Sequence, residues 1–167
     1  MEEADLPSPE SYSSFTPFIK GVFSQWHATD LTLNGERYCT AEQWMMVSKA
    51  RLFDDHIAAA LILETDDPAK QKRLGQTVQN FQSSVWDKAK LGIVFAGNYA
   101  KFSQNKGAAR QLLSTAPAML VEANPRDWIW GVGLAIDDPQ VGDPSCWRGS
   151  NLLGRILTKV RSELERH

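Results

Sequence analysis

Helix starts and stops are written so densely into this chain that only short extended pieces fit between them. Thr40, followed three residues later by Gln43, makes a capping-box pattern and predicts a helix through TAEQWMMVSKARLF to about Phe53. Asp54 predicts the start of a second helix over 55–64. Asp67, with Pro68 at the first helical position, predicts a third that ends near Gly75. Ser84 with Asp87 predicts a long helix to about Ser103; Gly92 and Gly97 inside it each cost about 1 kcal/mol against Ala unless close packing requires them. A short helix fits 107–114. Ser150 or Asn151 opens a final amphipathic helix, with Leu152, Leu153, Ile156, Leu157, Val160 and Leu164 on its buried side. Between these lie strand textures. Leu31, Leu33 and Tyr38 flank Asn34-Gly35, a strong hairpin signal. Ala118 to Ala123 and Asp127 to Ala135 read as strands, and 137–149 as a loop. The pattern predicts a helix-rich α+β single domain with a few short strands, and 167 residues suit one core. Residues 1–17 are acidic and rich in Ser and Pro, which predicts a flexible N-terminal arm ahead of a folded domain over 18–167.

Composition narrows the chemistry. A net charge of -2 and a pI near 5.9 argue against a general nucleic-acid binder but not against a narrow pocket for one phosphorylated ligand. No apolar run reaches the length of a membrane span, and the first residues lack the basic-then-apolar pattern of a signal peptide. Cys39 and Cys146 are too few for a disulfide scaffold and fit no zinc spacing, so both are expected as reduced thiols in an intracellular setting, cytoplasm or nucleus. Of three histidines, His167 is the last residue, so a histidine metal cluster or a Ser-His-Asp triad is poorly supplied. Catalysis would lean on carboxylates, with six tryptophans available to hold a planar or sugar ligand.

The informative positions are polar residues set among apolar ones. Glu42 lies in a first helical turn, where the helix dipole favours a carboxylate, and taken alone that structural role is the better reading. Yet Glu42, Met45, Met46, Lys49 and Phe53 share one helical face, so an acid and an amine bracket an apolar patch. They form either a ligand-facing pair or a structural salt link. Glu122 interrupts the apolar run MLVEA; a carboxylate in a buried strand is held by backbone donors or faces a pocket. Asp127 precedes Trp128 and Trp130, and Gly131 and Gly133 suggest close approach of backbone or ligand. An Asp turn ahead of a core strand is the plainer alternative. Trp86 follows a helix start beside two serines, which suggests a partly open ring. Trp147 leads to a helix N-terminus at GSNLLG, a possible though weakly signalled phosphate seat. All six tryptophans can equally be core.

In order, GVFSQW, YCTAEQWMMVSKARLF, DPAKQKRLG, Trp86, Lys101-Phe102, LVEA at Glu122, DWIWGVG and WRGSNLLGRIL resemble the NADAR family from about Phe18 to Leu164. Gln25-Trp26 departs from it, standing where an asparagine-phenylalanine pair is commoner. The resemblance implies an N-ribosyl hydrolase acting either on phosphoribosylated aminopyrimidine intermediates of riboflavin synthesis or on ADP-ribosylated guanine. It places the important positions at Glu42, Trp86, Glu122 and Asp127, with Lys49, Trp130 and Asn151 in the pocket; beside these, Trp44, Trp147 and Gly131 are expected as further substrate contacts. Breaking a ribose C–N bond builds positive charge on the sugar, which a carboxylate stabilises while an acid handles the leaving nitrogen's proton. Glu42 is the expected catalytic carboxylate, with Asp127 and Glu122 supporting or sharing that role. Lys49, Arg73 or Arg148 would neutralise phosphate. No step requires a metal or other cofactor. The implied partner is a small nucleotide-like substrate, or such a group on modified DNA, and no membrane. Two other classes compete: a non-catalytic module that binds ADP-ribose or a nucleotide, told apart by lack of turnover, and a structural interaction domain, told apart by lack of saturable ligand binding.

Overall fold

A computed structural model describes residues 1–167 and has the expected helix-rich α+β character. Its elements are β1 (Phe15–Phe18), β2 (Leu31–Leu33), β3 (Glu36–Tyr38), α1 (Ala41–Leu52), α2 (His56–Leu63), α3 (Pro68–Gln76), α4 (Ser83–Gln104), α5 (Lys106–Leu113), β4 (Met119–Glu122) and α6 (Leu152–Glu165). They fall into two compact units, one over Gln25–Gln104 and the other over Glu2–Ser24 with Asn105–His167. No helix is long and apolar enough to cross a membrane.

In the first unit α1 packs against α2, α3 and α4, and the β2–β3 hairpin lies against α1 and α4. The hairpin turn is Asn34-Gly35, both at positive φ, as a two-residue turn between twisted strands demands. Thr40 caps α1 by accepting from the Gln43 N–H at 2.9 Å. Gln43 reaches one residue further back than a standard capping box and accepts from the Cys39 N–H at 2.8 Å. Its amide nitrogen donates to the Ile62 carbonyl, so this one buried side chain ties the start of α1 to the end of α2. Gln71, fully buried on α3, accepts from the Thr40 hydroxyl at 2.7 Å and donates to the Thr65 carbonyl at 2.8 Å. α2 begins one residue later than expected: Asp55 caps it through the Ala58 N–H, while Asp54 takes a positive φ that no helix accepts. Of the two glycines inside α4, Gly97 is the one packing requires, because a Cβ there would lie 2.3 Å from Trp44 Cδ1; one on Gly92 would meet nothing.

In the second unit β1 and β4 pair in parallel, from Phe15 opposite Met119 to Phe18 opposite Glu122. The far edge of β4 meets side chains of α6 instead of a third strand. Thr158 Oγ1 accepts from the Leu120 N–H, Asn151 Nδ2 donates to the Leu120 carbonyl, and Asn151 Oδ1 accepts from the Glu122 N–H. An edge that would otherwise bury unpaired backbone groups is thereby satisfied. Arg161 adds a bond to the Ala118 carbonyl.

Two expectations need correcting here. Residues 127–135 do not form a strand. Asp127 Oδ1 accepts from the N–H groups of Ile129 and Trp130, which bends the chain into a turn and breaks any regular alternation. The stretch expected as a loosely attached arm includes β1 and two short 3-10 turns. Leu6 is buried, and Arg155 of α6 holds the Glu3 carboxylate at 2.7 Å and the Pro7 carbonyl at 3.0 Å. Composition gives the polar character of that stretch but not the partner, about 150 residues away in the chain, that holds it.

Candidate functional site

The expected site residues fall into two groups, one in each unit. In the first, Glu42 stands in the opening turn of α1, buried, with its N–H donating to the Gln25 carbonyl at 3.0 Å. Two turns on, Lys49 is half-buried on the same side. Its ammonium lies 4.7 Å from the Phe81 ring centroid and 5.7 Å from that of Trp86. Burial lowers its pKa and the Glu42 carboxylate opposes that shift, so acid and amine sense one another across the apolar patch. Trp86 is buried rather than partly open, because the first turn of α4 turns its ring inward toward Lys49. Phe81, 44% exposed and stacked edge-on against Phe53, is the open ring of this group. Trp44 is held in place: its indole N–H donates to the Ile93 carbonyl at 2.7 Å and its ring meets Tyr38 edge-on.

Sequence reasoning noted Lys101 only within the family resemblance and missed that it forms a second polar stripe of this unit with Asn98. Asn98 and Lys101, one turn apart on α4, are both fully buried. Asn98 donates to the Gln25 side chain, and its Oδ1 has no hydrogen-bond partner. Burial drops the Lys101 ammonium to a pKa of about 7. The signal was available: both residues recur at helical spacing with Leu91 and Val94, on a face where a lone polar residue is costly.

In the second unit the centre is Glu122, the last residue of β4. It is buried, its Oε2 has no hydrogen-bond partner, and its carboxyl is pushed up to a pKa of about 8, by burial first and by the Asp127 carboxylate second. At neutral pH it keeps its proton. Its backbone is fixed on both sides, the N–H by Asn151 and the carbonyl by the Val132 N–H at 3.0 Å. Gly131 is needed beside it, since a Cβ there would lie 2.9 Å from the Glu122 carbonyl oxygen and 3.3 Å from its Cγ. Asn151 itself is fully buried at φ 51°, and both ends of its amide are spent on β4. It therefore positions Glu122. A Cβ on Gly154 would lie 2.4 Å from Asn151 Oδ1 and 2.1 Å from the Leu120 carbonyl oxygen, so only glycine leaves the amide room.

The start of α6 is not an open phosphate seat. The N–H groups of Ser150, Asn151, Leu152 and Leu153 donate to the carbonyls of Trp128, Gly131, Ile129 and Trp130 at 3.0–3.2 Å. Those donors, which would hold an anion at a bare helix end, are already used. Trp130 is half-buried in that stitched loop. Trp147 donates its indole N–H to the Val141 carbonyl at 2.9 Å, meets Phe15 edge-on, and packs on the cluster of Val121, Val132 and Leu134.

The fold, helix-rich α+β, matches the solution structure of the Escherichia coli protein YbiA with a TM-score of 0.75 at 26% identity, over 92% of this chain and 86% of that one. The NADAR domain model matches residues 10–165, and the chain belongs to the NADAR family. Among its relatives, N-glycosidase R617 of Acanthamoeba polyphaga mimivirus is 44% identical over 85% of this chain and 86% of its own length. A riboflavin biosynthesis protein of Vibrio vulnificus is 31% identical over 88% of this chain, which spans only 36% of that longer protein.

Proposed function

We propose that this protein is an N-glycosidase that hydrolyses the bond between a phosphorylated ribose and a nitrogen. The observation that carries the proposal is Glu122: a buried carboxyl with an unpartnered oxygen that stays protonated to about pH 8. Cleaving an N-glycosidic bond needs a proton for the departing nitrogen at the moment the sugar carbon becomes cationic. An acid still protonated at neutral pH supplies it, as an ordinary exposed carboxylate does not. Asp127, close enough to raise the Glu122 pKa, supplies the negative charge that favours the cationic sugar. In the first unit, Glu42 is a separate candidate for the catalytic carboxylate, buried on the helical face it shares with Lys49. Lys49, with Phe81 and Trp86 beneath its ammonium, is suited to a phosphate lying over aromatic rings. The name of the mimivirus relative, an N-glycosidase, supports the reaction class. The Vibrio relative's name supports riboflavin biosynthesis as a setting, and the family resemblance brings both candidate substrates, a phosphoribosylaminopyrimidine of that synthesis and ADP-ribosylated guanine, free or in DNA.

The test is a pH–rate profile. With Glu122 as the acid, turnover falls as pH rises through about 8. Glu122→Gln lowers turnover by about 100-fold or more and removes that limb. A folded Glu122→Gln protein with the wild-type rate and profile refutes the assignment.

A further inference from the structure

Trp128 is the most exposed of the six tryptophans, 56% open, with Ile129 beside it at 52%. A single exposed apolar side chain is ordinary, but Trp128 and Ile129 are adjacent and form a contiguous open patch on a loop held by hydrogen bonds, the kind of feature that marks a binding surface. Asp127 Oδ1 accepts from the N–H groups of Ile129 and Trp130, and the carbonyls of residues 128–131 all accept from the start of α6. Beneath the indole the chain is cleared to bare backbone. A Cβ on Gly133 would lie 2.7 Å from Trp128 Cδ1, 2.8 Å from its Nε1 and 2.9 Å from Arg148 Cβ; one on Gly149 would lie 2.6 Å from Trp128 Cα. The ring thus rests on glycine, and the exposed Arg148 side chain leaves from the same point. Exposed Arg126 lies two residues away in the chain. An aromatic face on a rigid base with a guanidinium at hand matches a planar ring that carries an anion, and such anchors concentrate binding energy because little must be ordered on contact.

We propose that Trp128 and Arg148 form a seat for a nucleobase carried on a phosphate. The base stacks on the open indole face and the phosphate meets the Arg148 guanidinium. The proposal rests on the N-glycosidase reading only in taking that base to belong to the substrate; its binding test needs no turnover. AMP, adenosine and short single-stranded oligo(dA) are titrated calorimetrically into wild type, Trp128→Ala, Trp128→Phe and Arg148→Ala, with melting curves to check folding. Saturable binding of AMP or oligo(dA) is expected, weakened about tenfold or more by Trp128→Ala and largely kept by Trp128→Phe. Arg148→Ala should erase the preference for AMP over adenosine. Tighter binding of oligo(dA) than AMP assigns the seat to a nucleic-acid strand, and equal or weaker binding assigns it to a free nucleotide. No saturable binding by wild type, or unchanged binding by folded Trp128→Ala, overturns the seat. Turnover measured on the same proteins keeps the two claims apart. Wild-type hydrolysis together with nucleotide binding that Trp128→Ala leaves unchanged sinks the seat alone, whereas binding at the seat without hydrolysis sinks the N-glycosidase reading alone.

Discussion

Replacing Glu122 by Gln should make the protein more stable at alkaline pH, by an amount the structure sets. The folded state holds the Glu122 proton to about pH 8, where an unfolded chain releases it near 4.5. The folded state therefore binds the proton more tightly, and the sign follows: this group's contribution is full below about pH 4.5 and is lost as pH rises to about 8. Each tenfold difference in proton affinity is worth about 1.4 kcal/mol, so the whole loss is roughly 5 kcal/mol. Gln has the shape of the protonated acid and cannot ionise, so the variant escapes the loss. Urea unfolding of both proteins between pH 5 and pH 9, at about one-unit steps, reads the difference directly. Wild type should fall behind the variant steadily up to about pH 8 and then run parallel to it. Parallel curves across the whole range would mean that Glu122 ionises like a surface carboxylate, and the argument for a proton donor would fail with it.

Lys101 has the opposite sign. Its folded pKa of about 7 lies below the ordinary 10.5, so stability rises as pH climbs between those values, and Lys101→Met should remove that rise, worth roughly 5 kcal/mol over the whole span, in an unfolding series carried on to about pH 11. Gly154→Ala drives a methyl against the Leu120 carbonyl oxygen and Asn151 Oδ1, and should cost about 3 kcal/mol by urea unfolding while displacing Glu122 enough to lower its pKa in a carboxyl titration followed by NMR. Thr40→Ala removes the cap of α1 and strands the buried Gln71 oxygen, an expected loss of about 2–3 kcal/mol; a loss under about 0.5 kcal/mol would show that water or a shifted side chain takes over both bonds.

What was legible in the sequence is what local chemistry decides. Asn34-Gly35, the Thr40 cap and Asp67-Pro68 each satisfy or omit a backbone donor within a few residues, and each structure follows. Glu42, Glu122 and Lys49 stood out because a charge among apolar neighbours needs a reason, and all three are buried or half-buried. The misreadings arose where distant partners decide. Asp127 to Ala135 has the composition of a strand, but the donors its carbonyls accept from lie at the start of α6, some twenty residues on, and no periodicity records that. Asn151 looked like a ligand contact because the sequence cannot show that its amide is used up on β4. Trp128 went unselected beside Trp130 because exposure is a property of the folded loop, not of the residue type.

The most direct measurement is product release from a phosphoribosylaminopyrimidine and from ADP-ribosylated guanosine, side by side, by wild type, Glu42→Gln and Glu122→Gln. An N-glycosidase releases the free aminopyrimidine together with ribose 5-phosphate from the first, or guanosine together with ADP-ribose from the second, and either carboxylate variant loses that release while keeping its fold. Release of neither the aminopyrimidine nor guanosine by wild type, with saturable binding intact, would contradict hydrolysis and leave a nucleotide-binding module.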